Sequence, residues 1–335
     1  MKTQSWMSGL LFCALLAGSV QAAEVIKIAT VAPDGTAWMR EMRAGGEAVK
    51  QRTEGRVEIK FYPGGVMGDS ATVLRKIKIG QLQGGAFTGG EISGIDPDIQ
   101  LYSLPFLFKD LTEIDAIRAK LDGRIKSSLE PKGFVALGLS GGGFAYLMST
   151  RDIKTQEQLK GAKVWVPQGD YIAEVAFKAA GVSPISLPLA DVYTSLQTGL
   201  IDTAANTTAG SIAFQWHTKI KHIIDLPVSY VVGVLAVDKK VFDKLSPADQ
   251  TGVREEIAKA FAKLDQVSRD DNAKALETLK GQGITVYKPS DAENSLWQKV
   301  GSDAARQLES EKAFSPELYK ALNDEVAAVR GGGKK

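Results

Sequence analysis

A chain of 335 residues is long enough for two domains with separate cores. Hydrophobic residues make up 44% and charged residues 24%, ordinary for a globular protein. Forty-one Lys and Arg against 39 Asp and Glu leave a net charge of +2 with no charge block, which argues against a nucleic-acid partner.

Lys2 is the only charge before Glu24, and an apolar run from Leu10 to Ala17 is followed by Val20-Gln21-Ala22. That order of basic start, short apolar core and small residues is a secretory signal, with cleavage expected after Ala22. The run is too short to span a bilayer. Cys13, the single cysteine, falls inside the leader, so the mature chain has no disulfide framework, thiolate metal site or cysteine nucleophile.

Beyond the leader, "VIKIAT" at 25–30 alternates and is β-branched, so it reads as a strand. Pro33-Asp34-Gly35-Thr36 opens a helix to about residue 53, and "RVEIKFYP" is a half-buried strand with Val57, Ile59 and Phe61 on one face. Asp69 or Ser70 caps a helix ending near Gly80, and "GGAFTG" is a short strand. "FVALGLS" and "AYLMSTR" are two strands around a turn at Gly141-Gly142-Gly143. "AKVWVP" is a strand, followed by a helix to Gly181, the strand "SPISLP", the helix "ADVYTSLQTGL" and the strand "IDTAANT". Ser246-Pro247 starts a long amphipathic helix to about Gly281, "ITVYKP" is a strand, helices cover 290–312 and 315–329, and 330–335 is a disordered tail. Strands alternating with helices give an α/β fold. With no low-complexity linker, the chain is expected to cross between lobes more than once.

Catalytic motifs are missing. His217 and His222 are five residues apart and do not share a helix face, so packing or ligand contact is a better reading than zinc. Gly138-Leu139-Ser140-Gly141-Gly142 matches the G-x-S-x-G string but lies between two strand-like runs rather than at a strand-to-helix elbow, and no dinucleotide fingerprint or phosphate loop occurs. No cofactor is called for, and the chain reads as a binder rather than an enzyme.

The ordered segments "YPGGVMGD", "KIGQLQGGAFTGG", "LYSLPFLF", "LKGAKVWVP", "AAGVSPISLPLADVYTSLQTGLID" and "VFDKLSPADQ" cover nearly all of the mature chain. The set resembles the solute-binding proteins of tripartite ATP-independent periplasmic (TRAP) transporters, the dicarboxylate-binding (DctP-like) family. The resemblance implies a two-lobed α/β periplasmic binding protein with a ligand cleft between lobes and a long helix spanning them. It places 24–142 plus 232–271 in lobe I and 143–231 plus 272–329 in lobe II. It further implies a monomer in the periplasm that closes on a small organic solute and delivers it to TRAP permease subunits in the membrane. An exported module serving a sensor, or an enzyme on a binding-protein fold, remain alternatives.

Family members usually carry an arginine in the phrase that here reads "KVWVP", where its guanidinium grips the ligand carboxylate. That position is Trp165, and a second arginine position counts back to Ala145. Asn206 keeps a family asparagine in "DTAANT". Alternation puts Val164 and Val166 opposite Trp165, which assigns Trp165 to the floor of the cleft. Trp38, Phe87, Phe144, Tyr146 and Trp216 are aromatic candidates for the cleft, and Glu91 and Asp170 are acidic ones. Aromatics with an acid suit a neutral aromatic solute or a cation held over ring faces. A carboxylate held by backbone N–H groups and Asn206 is the remaining option.

Overall fold

The computed structural model describes residues 23–332; the expected leader at 1–22 and residues 333–335 lie outside it. β1 (Glu24–Thr30), α1 (Ala37–Arg52), β2 (Val57–Tyr62), α2 (Ser70–Lys78), β3 (Gly84–Thr88), α3 (Gly89–Ile92) and α4 (Leu111–Ser128) come first. β4 (Phe134–Ser149), α5 (Gln156–Leu159), β5 (Trp165–Pro167), α6 (Tyr171–Ala179), β6 (Ile185–Leu187), α7 (Val192–Thr198), β7 (Thr203–Asn206) and α8 (Thr208–Ala213) follow. The chain continues through β8 (His222–Asp238), α9 (Lys239–Phe242), α10 (Pro247–Gly281), β9 (Thr285–Tyr287), α11 (Asp291–Ser310) and α12 (Pro316–Gly332). Helix starts follow from local chemistry. Thr36, Asp69 and Ser246 each accept a hydrogen bond from a first-turn N–H, and Pro247 occupies a position where a missing N–H costs nothing.

The main sheet runs β2-β1-β3-β8-β4-β7, with β9 also on β8. Two long strands tie the halves together: β4 and β8 pair antiparallel from Phe134↔Asp238 to Ser149↔His222. Toward one end β8 meets β3 at Gly233 to Val237; toward the other it meets β9 at His222 to Ile224, while β4 meets β7. β5 and β6 form a separate parallel pair. The fold is therefore two α/β lobes on one shared pair of strands. The glycines at 141–143 do not make the turn expected from sequence. β8 stays paired on both sides of them, so β4 is a single strand with a bulge between Gly141 and Gly143, where Gly143 takes φ 106°.

The first lobe has a core on each face of its sheet. Ile26, Ile28, Val237 and Phe261 lie on one side; Leu101, Ile114, Ile117 and Val234 lie on the other. The second lobe packs Leu147, Val164, Leu226 and Trp297 in one cluster and Trp165, Val192, Ile201 and Trp216 in another. α10, about 50 Å long at 1.5 Å per residue, lies on α1 and β4 and then reaches α8. Among the described residues no helix is long and apolar enough to cross a membrane.

Two expectations change at the C-terminus. Residues 316–329, grouped from sequence with lobe II, send Leu318, Leu322 and Val326 into the cluster that holds Ile114, Ile117 and Leu121 of α4. The stretch 330–332 is helical rather than tail, because Arg330 donates to the buried Glu113 carboxylate at 2.5 and 3.2 Å and to Leu107 O at 2.5 Å.

Candidate ligand-binding cleft

A cavity of about 740 Å³ opens between the lobes. That volume suits a drug-sized organic molecule. One wall is the β1–α1 loop with Trp38 and the β3–α3 junction with Phe87. The opposite wall is Trp165, helix α6 and Phe214, and the back is β4 and β8 with Ala145, Leu147, Val231 and Gly233. Parallel α/β units leave their strand ends open toward such a crevice.

Of the nine sequence candidates, Trp165, Asn206, Trp38, Glu91, Phe87 and Asp170 line this cavity. Phe144, Tyr146 and Trp216 are not on its wall. In β4, Ala145 and Leu147 face the cavity, so Phe144 and Tyr146, which alternate with them, point the other way. Phe144 packs edge-on against Tyr230 at 5.3 Å, and Tyr146 packs near Met148 and Ile220. Trp216 is fully buried behind Trp165, their rings meeting edge to face at 5.4 Å and 84°.

Trp165 is therefore core and floor at once. It lines the cavity yet is only 4% exposed, and its Nε1–H donates to Leu187 O at 2.9 Å. The indole N–H is spent on the protein, so the ring offers a solute its face rather than a hydrogen bond. Trp38 lies across Gly233, where a Cβ would meet its Cη2 at 2.2 Å; the missing side chain makes room for the ring. The ring edge packs on Phe261 at 6.1 Å.

The polar groups are mostly committed. Glu91 closes a capping box with Thr88 and accepts from Ser70 Oγ at 2.5 Å and Thr88 N at 2.8 Å. Burial pushes its carboxyl above the usual range, opposed by those hydrogen bonds. Asp170 caps α6 through Ala173 N at 3.0 Å, and burial raises its pKa as well. Neither carboxyl is in an ion pair with a lysine or arginine among the described residues. Asn206 Oδ1 accepts from Thr207 N at 2.8 Å, while its Nδ2 is buried against the cavity wall without a partner. The cationic side chains on the lining are Arg40 and Lys274, and both are exposed. His217 and His222 lie off the cavity wall.

Sequence reasoning missed the contribution of β8, which supplies Val228, Ser229, Val231, Val232 and Gly233 to the wall. Its signal was the apolar run "VVGVLAVD" at 231–238. Phe106, Phe177, Phe214 and Trp297 were missed too, single aromatics without a local pattern.

Two lobes on shared strands with a solvent-open cleft between them, spanned by one long helix, are the architecture of a two-lobed solute-binding protein. The chain belongs to bacterial extracellular solute-binding protein family 7, the DctP family, whose model matches residues 28–312. It is 24% identical over 261 residues to the C4-dicarboxylate-binding periplasmic protein DctP of Rhodobacter capsulatus, covering 76% of this chain and 77% of that one. A TRAP periplasmic solute-binding protein from Desulfovibrio salexigens with bound orotic acid superposes with a TM-score of 0.85 at 21% identity, over 91% of this chain and 99% of that one. Another from Citrobacter koseri, with bound D-glucuronate, gives 0.82 at 26% identity, over 90% and 99%.

Proposed function

We propose that this protein captures a small organic solute in the periplasm, closes its lobes over it and delivers it to a TRAP-type permease. The solute has an aromatic or otherwise apolar body and is held without a guanidinium–carboxylate clamp. One observation carries this reading: among the described residues the only lysine or arginine side chains on the cavity lining are the exposed Arg40 and Lys274, while Trp165 and Ala145 stand where the family resemblance places its two arginines. A desolvated carboxylate there would lack the charge-assisted bonds, worth roughly 1.5–3 kcal/mol each, that offset its removal from water. It would also face the carboxyls of Glu91 and Asp170, which have hydrogen bonds at helix starts but no lysine or arginine partner among the described residues. On this reading the acids bound by the superposable proteins are not the solutes of this cavity.

Lobe I in this reading is 24–142 plus 232–271 with α12 packed on it, and lobe II is 143–231 with the end of α10, β9 and α11. The protein works as a monomer.

The test compares near-isosteric probes. Phenylacetamide is expected to raise the melting temperature of the mature protein by mass action, and phenylacetate is not. Native mass spectrometry of protein purified from periplasm should show a retained uncharged or cationic molecule. Stabilisation by carboxylates alone, or a retained carboxylate, would overturn the reading.

A further inference from the structure

Resting on the closing-cleft reading, we infer that closure is registered by Asp170 seating in a slot left open by Gly90. The two residues belong to opposite lobes. A Cβ on Gly90 would come within 2.7 Å of Asp170 Oδ2, 3.2 Å of its Cγ and 3.3 Å of its Cβ. Gly90 sits inside α3 and is not in the left-handed region. Its backbone conformation is open to any residue, so what the contact requires of glycine here is space rather than flexibility.

Three neighbouring observations fit a contact that can be made and broken. Ser93 Oγ lies 2.9 Å from Gly90 O in its own lobe and 3.1 Å from Gly169 O across the cleft, with one proton shared between them. When the lobes part, that proton stays on Gly90 O, and the hydroxyl is not orphaned. Gln100 is 1% exposed and its Nε2 has no hydrogen-bond partner, although the amide stands beside the Asp170 carboxyl. A solvent-open pocket of about 180 Å³, lined in part by Ser93, Gln100, Gly169 and Ile172, adjoins the contact. A slight further approach of the lobes would bring the Gln100 amide fully onto the Asp170 carboxyl.

The carboxyl is held for this role. Oδ1 is fixed by the α6 N-terminus through Ala173 N, which leaves Oδ2 turned toward Gly90. α6 itself presents Ile172, Ala173, Ala176 and Phe177 to the cavity. A solute that presses on α6 thus moves Asp170 as one rigid piece with the helix. In this arrangement Asp170 is a positioning residue for the closed state, not a ligand group.

The test needs no solute. Because Cys13 lies in the leader, the mature chain has no thiol, and exposed Ile79 and Leu200 on the two lobes can be replaced by cysteine and spin-labelled. Pulsed dipolar spectroscopy on the apo protein then reads the lobe separation. Gly90→Ala is expected to deplete the short-distance population by about tenfold, the effect of an overpacking clash of ordinary size. Its melting temperature should match wild type. Adding Asp170→Ser, which keeps a good N-cap but withdraws the carboxyl, should restore the short distance. An unchanged distribution in Gly90→Ala would overturn the inference, as would failure of Asp170→Ser to rescue a folded Gly90→Ala protein. The thermal-shift comparison of the two phenylacetyl probes reads the solute independently. The latch can therefore fail while the transport reading stands, and the reverse.

Discussion

Trp165→Ala separates a residue that merely borders the cleft from one that also holds up its lobe. The side chain is 4% exposed and packs edge to face on Trp216, within a cluster that includes Val192, Leu196, Ile201 and Ala204. Truncation of a buried tryptophan costs about 3–5 kcal/mol. Loss of the indole hydrogen bond adds little, because Leu187 O also accepts from Gln168 N at 3.1 Å and keeps a partner. For a chain of this size the expected fall in melting temperature is roughly 10 °C, using about 2–4 °C per kcal/mol. The control is Trp165→Phe, which keeps an aromatic face and loses only the N–H and part of the ring; it should cost about 1–2 kcal/mol. Differential scanning calorimetry of the apo proteins provides the measurement. If Trp165→Ala melts within about 2 °C of wild type, the indole is not load-sharing with Trp216 and the floor has been placed wrongly. A Trp165→Phe protein as damaged as the alanine variant would show instead that the N–H bond dominates.

Arg118 is buried among Asp122, Asp265 and Leu139 O, so Arg118→Met should cost about 3–5 kcal/mol by leaving carboxylates without their cation; Asp265→Asn in the same chain should recover part of it in denaturant melts. Truncation after residue 329 removes the Arg330 bonds to Glu113 and Leu107 O, and should lower stability by about 1–3 kcal/mol in the same assay. Asp170→Asn keeps the α6 cap but removes a carboxyl whose pKa burial raises. The folded state then holds that proton more tightly than the unfolded one, so wild-type stability relative to Asp170→Asn should fall as pH rises above the unperturbed 3.8 and level off beyond the raised folded value. Equal pH profiles for the two proteins would refute this.

The elements most legible in the sequence were those whose ends carry chemistry. Thr36, Asp69 and Ser246-Pro247 mark three helix starts because a capping side chain or a proline has one place to go. β8 was illegible because "LPVSYVVGVLAVD" breaks period-two alternation: one half pairs on β3 inside a sheet covered on both faces, the other on β9. The side of β4 that faces the cleft was equally hard to read. Register shifts at Ala136/Gly138, Gly141/Gly143, Ala145/Tyr146 and Tyr146/Met148 mean that parity counted from one end does not survive to the other. Phe144 and Tyr146 were assigned to the cavity, yet it is the small Ala145 between them that reaches it. Trp216 could not be told from a wall residue, since a second tryptophan directly behind the first leaves no separate trace in the sequence.

On the proposed reading, the same geometry explains how a cleft can do without a cationic anchor and keep its shape. An arginine in a cavity wall must find counter-charges and hydrogen bonds whether or not a solute is present, whereas an indole in that place needs only packing and one carbonyl. Trp165 finds the packing in Trp216 and the carbonyl in Leu187. Ala145 on the neighbouring wall then leaves volume rather than an unmet charge, and Leu147, Phe177 and Val231 around it are apolar. The two buried carboxyls on the wall are tied to helix starts, Glu91 to α3 and Asp170 to α6. On that reading, selectivity comes from size, from ring faces and from the cost of burying a solute's charge. On the proposed reading, with no charged solute to bridge the lobes, closure would be registered by the contact between Gly90 and Asp170.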